Sequence, residues 1–396
     1  MLKYKKQARK IKRIFQMPIK KVMHITYDMR IGGTEMVIKN LIDGADKSQY
    51  KLSVLCIESP LGPFSEDLIK DGVIFHQLNR QPGFDKALVK NIRKIIKQNN
   101  IDIIHCHQYT PWVYGVIAAL MTCTKVMFTE HGRFHPDSST WKRKLINPVL
   151  NNFTAQVTVI SKATKKALVE FENIPAKDID VIYNGIAPLS FDAAKAQALR
   201  QFLNIPDNHT ILGTVARFDP IKNHTMMLKA FAKVLSQQPN CTLLIVGDGD
   251  ERQNIENCIT QLKISENVIL AGYQAKPAEH IALMDLFLLS SLSEGTSMTL
   301  LEAMSMGKPC VVTDAGGNPE IICHNVNGIV TLNDNIEMFA DAIKYMLQDT
   351  DKFKRYSQAA SEIFKQQFTA NSMIKKYEEL YKSVLKQKKI NILQSK

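Results

Sequence analysis

Short apolar, β-branched runs recur along this chain, and stretches of helical spacing separate most of them. The first set is KKVMHITY (20–27), KLSVLCI (51–57), GVIFHQL (72–78), IDIIHCH (101–107), KVMFTEH (125–131), AQVTVIS (155–161) and DIDVIYN (178–184), with helical stretches such as 84–98 and 141–152 between them. The pattern then restarts with TILGTVARF (210–218), CTLLIVGDG (241–249), NVILAGY (267–273), DLFLLSS (285–291), PCVVTDAG (309–316) and NGIVTL (327–332). Helices are expected there over 223–237, 250–262, 277–283, 299–306, 318–323 and 336–347. Strands alternating with helices pair in parallel through right-handed crossovers, so the spacing predicts two doubly wound α/β units. The second begins near residue 190, and 186–209, with Pro188 and Pro206, reads as the linker region. A last helix is expected over about 371–389 and can pack back across the first domain. The expected divisions are a leader (1–19), an N-terminal domain (20–187), a C-terminal domain (188–370) and a returning helix with a basic tail (371–396). Ligands of such sheets sit outside the carboxyl ends of the strands.

Composition excludes several alternatives. Of 396 residues, 45% are hydrophobic and 22% charged, which rules out a disordered or fibrous chain. No apolar run approaches the 18 residues of a spanning helix, and no secretory signal pattern opens the chain. The seven cysteines form no C-x-x-C pair, which argues against a disulfide framework or a structural zinc site and fits a reducing cytoplasm. The net charge of +13 sits in the tails. Residues 1–21 hold nine Lys/Arg and residues 382–396 hold five Lys, neither with an acid. Removing those fourteen from 51 leaves 37 basic residues against 38 acidic. A near-neutral body with basic ends does not read as a nucleic-acid binder. In the leader, Tyr4, Ala8, Ile11 and Phe15 share helical spacing among seven Lys/Arg, the pattern of a basic amphipathic helix at an anionic membrane. A solvated leader is the competing reading.

The chemistry concentrates in EGTSMTLLE (294–302). Glu294 follows a strand, Glu302 lies in the next helix, and Gly295, Thr296, Ser297 and Met298 lead into that helix. Helix N-terminal amides favour an anion, and carboxylates accept from vicinal hydroxyls, so the pattern suits a ligand carrying both. Gly247-Asp248-Gly249 is the strongest decoy: a dinucleotide fingerprint needs a third glycine where Arg252 stands. A P-loop pattern is absent.

The string SLSEGTSMTLLEAMSMGKPCVVTDAGGNPEII resembles the donor-site signature of the retaining family 4 glycosyltransferases, with Gly307, Pro309, Gly316, Gly317 and Glu320 in place. TVARFDPIKNH is similar to that family's R-x4-K segment, giving Arg217 and Lys222; LIVGDGDER looks like its next strand and turn. ITYDMRIGGTE, TEHGRFHPD and VIYNGI resemble its glycine loop, histidine segment and interdomain segment. The likeness runs in order over about residues 20–390. It implies the GT-B fold, two Rossmann-like domains facing a cleft, and sugar transfer with retained anomeric configuration.

Carried over residue by residue, the resemblance implies that Glu302 binds ribose hydroxyls and Glu294 donor-sugar hydroxyls. Amides of Gly295, Thr296, Ser297 and Met298 would touch sugar and phosphate, and Gly272 and Tyr273 would lie where the base is read. His131 would orient the sugar near its hydroxymethyl group, and Gly32 and Gly33 would let backbone approach the donor phosphates or the acceptor. Arg133 and His135 are acceptor candidates. Arg217 and Lys222 suit the diphosphate leaving group, Arg by its bidentate fork and Lys as a point charge. Two cations and a helix N-terminus can take a metal's place, so no metal and no other cofactor is expected. The front-face displacement implied by the family has no covalent intermediate. The expected partners are a nucleotide sugar (a UDP-sugar first, GDP-mannose second), a saccharide or lipid-linked acceptor of cell-surface polysaccharide or lipopolysaccharide synthesis, and an anionic membrane reached through the basic tails. The expected location is cytoplasmic, peripheral at the inner face of the membrane. Alternatives are transfer to a soluble small acceptor, a non-catalytic nucleotide-sugar-binding or scaffold protein on the same fold, and a glucan phosphorylase, for which nothing suggests a cofactor-bearing lysine.

Overall fold

The computed structural model describes residues 18–132 and 139–387. The first sheet contains β1 (Lys20–Thr26), β2 (Tyr50–Cys56), β3 (Ile74–Gln77), β4 (Ile103–His107), β5 (Lys125–Glu130), β6 (Gln156–Val159) and β7 (Ile179–Val181), in the order β3-β2-β1-β4-β5-β6-β7. The second contains β8 (Thr210–Val215), β9 (Cys241–Val246), β10 (Val268–Leu270), β11 (Leu286–Leu289), β12 (Cys310–Thr313) and β13 (Gly328–Thr331), in the order β10-β9-β8-β11-β12-β13. Every pairing in the second sheet is parallel. Its central strands are buried on both faces, which is why β9 and β11 read as unbroken apolar runs. Polar side chains start many of the helices: Asp85, Ser161, Asp192, Ser297, Asn335 and Asp349 each accept from a first-turn amide.

The chain packs as two compact units. One gathers the residues up to Glu130, Leu145–Thr158 and those from Ile374 on; the other gathers His131–Lys144 and Val159–Met373. In the first unit the closing helix docks through Tyr381, whose hydroxyl lies 2.9 Å from His105 Nδ1, and through Glu378, whose carbonyl accepts from the Tyr50 hydroxyl at 3.2 Å. No helix among the described residues is long and apolar enough to cross a membrane.

Each sheet reverses its strand order beside its first strand. In the first sheet β1 lies between β2 and β4; in the second β8 lies between β9 and β11. Loops leaving such neighbours diverge to opposite faces and open a crevice at their carboxyl ends. The segment after β8 carries Lys222, and the segment after β11 carries Glu294.

Two helices are additional to the sequence reading. Ala193–Phe202 lies inside the expected linker, and Thr350–Gln367 precedes the closing helix. The first buries only Ala196, so its apolar period is nearly blank. The second buries Tyr356, Ala360 and Phe364, a sparse stripe among charged residues.

Candidate functional site

The second sheet's crevice is built by stapled loops. Phe218 donates its amide to the Asp248 carbonyl at 2.9 Å, and Gly247 donates to the Gly272 carbonyl at 2.9 Å, so the loops after β8, β9 and β10 hold one another. Asp219 accepts from the Ile221 amide at 3.1 Å, closing the short 3-10 turn that ends at Lys222. The Leu292 amide donates to the Ile221 carbonyl at 2.7 Å, and Ser290 Oγ donates to the Lys222 carbonyl at 2.8 Å. The backbone around Lys222 is therefore fixed to the segment after β11.

That fixation brings two predicted residues together. Lys222 Nζ lies 2.6 Å from Glu294 Oε1, and Ser291 Oγ donates to the same oxygen at 2.6 Å. The Glu294 side chain is only 9% exposed and that of Lys222 22%. An ammonium and a carboxylate this sheltered hold each other in one geometry, and removing either leaves a buried charge uncompensated.

Gly295, Thr296 and Ser297 then enter the helix Met298–Ser305. Thr296 Oγ1 donates to the Ile160 carbonyl at 2.7 Å, and Ser297 Oγ accepts from the Leu300 amide at 3.4 Å. Behind this loop sit Gly316 and Gly317, where a Cβ would overlap the carbonyl oxygens of Glu294 and Gly295 respectively. The Gly317 amide donates to the Glu294 carbonyl at 3.1 Å. The glycine pair therefore sets the depth of the Glu294 loop.

Glu302 lies one turn inside that helix, in register with Met298. Burial pushes its carboxyl up to about 7, and its Oε2 is buried with no hydrogen-bond partner among the described residues. A carboxylate in this condition costs folding free energy, and hydroxyl donors from a ligand would relieve that cost.

The other candidates are placed as follows. Arg217 does not join the Lys222–Glu294 pair: its Nη2 lies 2.8 Å from Asp219 Oδ2, and its side chain is 74% exposed. His131 follows β5, and its backbone carbonyl abuts Gly295. Burial pushes its imidazole down to about 3, so it is neutral at physiological pH. Gly272 has φ 68° with open space at its Cβ position, and Tyr273 beside it is exposed. In the first unit, Gly32 and Gly33 open the helix Gly33–Gly44 after β1. Arg133, His135, residues 1–17 and residues 388–396 lie outside the described residues, so those two acceptor candidates, nearly all of the leader and most of the basic tail have no structural account.

Sequence reasoning missed three features. Glu320 accepts from the Lys162 and Ala163 amides at 2.7 and 2.9 Å and from the Tyr183 hydroxyl at 3.0 Å, so it caps the helix Lys162–Glu172. Glu35, in the first turn after Gly32-Gly33, has its carboxyl pushed up to about 7 by burial, with Asp28 adding to the rise. The third is a buried cluster of His24, His105 and His107 on the paired strands β1 and β4. The H-x-H alternation in IDIIHCH was the available signal, because residues two apart on a strand share a face. Among the described residues this is the group whose donor atoms could converge on a metal. Four of its nitrogens are engaged in hydrogen bonds: His24 Nδ1 with His107 Nε2 at 2.9 Å, and His105 with Tyr381 Oη at 2.9 Å and Thr129 Oγ1 at 2.7 Å, while His24 Nε2 is buried with no hydrogen-bond partner among the described residues. This is a network that fixes the closing helix to the sheet.

These buried groups give a pH prediction. His24 and His131 are pushed down to about 3 and His224 to about 4, from an ordinary 6.5, chiefly by burial. Glu35 and Glu302 are pushed up to about 7 from 4.5. Between pH 4.5 and 6.5 the unfolded chain binds three extra protons at the histidines, and the folded chain binds two at the carboxyls. The histidine uptake exceeds the carboxyl uptake, and burial lowers His76 and His280 as well, so stability should fall on acidification through this range. Below 4.5 the carboxyls no longer offset the histidines, and the loss steepens. Denaturant melts at pH 7, 5.5 and 4 measure this; greater stability at pH 4 than at 5.5 would contradict it.

Two family models match the chain: Glycosyltransferase Family 4 over residues 31–188 and Glycosyl transferases group 1 over residues 195–363. The chain is 28% identical over 381 residues to an N-acetyl-alpha-D-glucosaminyl L-malate synthase of Bacillus anthracis, a match spanning 92% of this chain and 97% of that protein. It is 25% identical over 343 residues to the UDP-Gal:alpha-D-GlcNAc-diphosphoundecaprenol alpha-1,3-galactosyltransferase of Escherichia coli, spanning 83% and 88%. The solved glycosyltransferase from Rickettsia africae ESF-5 shares the fold at a TM-score of 0.84 and 22% identity, over 94% of this chain and 100% of that one. The strand order of both sheets, the glycine-backed Glu294 loop and these matches agree: the chain belongs to the GT-B glycosyltransferases, with a family 4 segment followed by a group 1 segment.

Proposed function

We propose that this protein is a retaining, metal-independent transferase that moves a sugar from a nucleotide sugar, a UDP-sugar first, to a hydroxyl of a saccharide or lipid-linked acceptor in bacterial surface-polysaccharide assembly. The observation that carries the reading is the pairing of Lys222 with Glu294 at the second sheet's switch point, followed in the next helix by Glu302, whose buried Oε2 has no hydrogen-bond partner among the described residues. Glu302 accepts from the ribose hydroxyls. Glu294, aligned by Lys222 and Ser291, accepts from hydroxyls of the donor sugar. As the bond from the anomeric carbon to the diphosphate breaks, charge grows on the leaving oxygens; Lys222, the amides entering the helix at Met298 and a swung-in Arg217 stabilise it. The acceptor oxygen bonds to the same face of that carbon and passes its proton to the departing phosphate. His131, neutral, can donate to the sugar, and Gly272-Tyr273 lies beside the base. For Gly32 and Gly33 the proposed part is backbone approach to the phosphates or acceptor.

The Escherichia coli relative's name supports a UDP-sugar donor and a lipid-linked acceptor. The Bacillus anthracis relative's name supports a second reading, transfer to a small soluble acceptor, since malate is the acceptor it names. A peripheral position at the inner membrane face, through the leader and basic tail, belongs to the first reading only.

The test is nucleotide release from a panel of UDP-, GDP- and ADP-sugars, with and without EDTA, followed by NMR assignment of the product anomer. Release from one donor, an unchanged rate in EDTA and a retained anomer are expected. Loss of activity in EDTA restored by Mn²⁺ or Mg²⁺ would overturn the metal-free leaving-group chemistry. No turnover with any donor would favour a non-catalytic binding protein.

A further inference from the structure

The helix Trp141–Asn152 turns its apolar side outward. Trp141 is 70% exposed, Leu145 65%, Ile146 51% and Val149 57%, and Phe153 just past its end is also exposed. At about 100° per residue the four helical positions fall within an arc of about 140°, the width of a core-facing stripe on an ordinary helix. The opposite side is the one held by protein. Leu150 and Asn147 are buried, and the Tyr109 hydroxyl donates to Asn147 Oδ1 at 2.8 Å. The outward stripe is thus fixed in place, and a contiguous apolar patch of this kind on a water-exposed surface marks a binding face.

Charge selects the occupant. Residues 138–169 contain no Asp or Glu, while Lys142, Arg143, Lys144, Lys162, Lys165 and Lys166 fall within them. Of the acids that follow, Glu170 is exposed, and Glu172 is buried and lies 3.2 Å from Arg143 Nη1. Lys142 and Lys144 leave the same helix turn as Trp141. An aromatic and aliphatic stripe with adjoining lysines and no acid suits a helix lying in the plane of an anionic bilayer, its apolar side among the acyl chains and its ammonium groups among phosphates. We propose that this helix face docks the protein on an anionic phospholipid surface. The face is separate from residues 1–17 and from the Lys222–Glu294 site, so the inference stands whether or not the leader binds and whichever donor is used.

The test uses the full chain and vesicles of phosphatidylglycerol with phosphatidylcholine, against vesicles of phosphatidylcholine alone. The chain has two tryptophans; Trp112 is fully buried, so a change in emission on adding vesicles reports Trp141. The expected result is a blue shift with anionic vesicles at low salt that weakens at high salt. Co-sedimentation should fall at least about tenfold in Leu145→Ser/Val149→Ser, because two apolar side chains no longer enter the acyl boundary. The same variant should keep wild-type donor hydrolysis and melting temperature. Trp141→Phe should retain sedimentation and lose the emission change. Deleting residues 1–16 should leave the emission change in place, which separates this surface from the leader. An emission spectrum of the wild-type protein unmoved by anionic vesicles overturns the proposal, and it does so without any variant. So does a concentration-dependent molar mass without vesicles that Leu145→Ser/Val149→Ser abolishes, which would make a second copy of the chain the occupant.

Discussion

Glu302→Ala and Lys222→Ala are each expected to lower kcat/KM for the donor by at least about 100-fold, the cost of losing one preorganised electrostatic contact of about 3–4 kcal/mol. The two should fail differently. Glu302 has a buried oxygen without a partner, so Glu302→Ala removes a folding cost as well as a ligand contact. Its melting temperature should hold or rise while donor affinity falls. Lys222→Ala leaves Glu294, 9% exposed, without its ammonium, so it should lose stability together with turnover. Glu302 also gives the donor interaction a pH dependence. Its carboxyl, pushed up to about 7 by burial, accepts from two hydroxyls only when ionised, so donor KM should rise as pH falls below about 7. Glu302→Gln should flatten that rise. Steady-state kinetics from pH 5.5 to 8.5, with melts of the same samples, measure all three effects. Near-normal turnover in both alanine variants, with folding intact, would remove the donor-site assignment.

Gly316→Ala and Gly317→Ala should be among the most damaging single methyl additions in the second unit, alongside Gly247, where a Cβ would overlap the Ala216 carbonyl oxygen. At Gly316 and Gly317 each new Cβ would overlap a backbone carbonyl oxygen, that of Glu294 or Gly295, and backbone held at both ends cannot rotate away. Gly316 also has φ 52°, which adds about 1–2 kcal/mol for any L side chain. With overpacking of about 1–3 kcal/mol, Gly316→Ala should cost about 3 kcal/mol or more. Gly272→Ala is the control. It has φ 68° but open space, so only the backbone term applies and the loss should stay near about 1 kcal/mol. Denaturant melts of the three variants test the contrast; equal losses at Gly316 and Gly272 would mean that the Glu294 loop yields and the glycine pair does not set its depth.

The two sheets show what was legible. Burial on both faces of a parallel strand favours a near-continuous apolar run, so β9 and β11 stood out as CTLLIV and LFLL, and β4 as a buried run broken by two histidines. Boundaries were less legible at β7, where three residues form the strand and seven were read. The helix Ala193–Phe202 was read as linker because it buries a single alanine; its stop and start signals, Asp192 among them, are short-range and were outweighed by Pro188 and Pro206. In the site, the E-x7-E spacing and the R-x4-K spacing gave residue types. They could not say that Lys222 would turn to Glu294 while Arg217 turned to Asp219, because both cations follow the same strand and only the contact with the segment after β11 separates them.

What the sequence by itself determined is therefore local and periodic: thirteen strands and most of the helices, two α/β repeats, glycines where chains must pass closely, and a carboxylate on each side of a helix start. These follow from side-chain volume, backbone freedom and period, which act within a few residues. What only the tertiary structure decided is which distant groups meet and how dry they are. Glu320 became a helix cap because Lys162 and Ala163 arrive from 158 and 157 residues away. His24, His105 and His107 became a buried hydrogen-bonded network because β1 and β4 pair in one register. Glu302 acquired its raised carboxyl from burial, and Trp141 its exposure from the side of its helix that Asn147 and Leu150 occupy. Contact and desolvation depend on long-range chain closure, which no window of sequence contains.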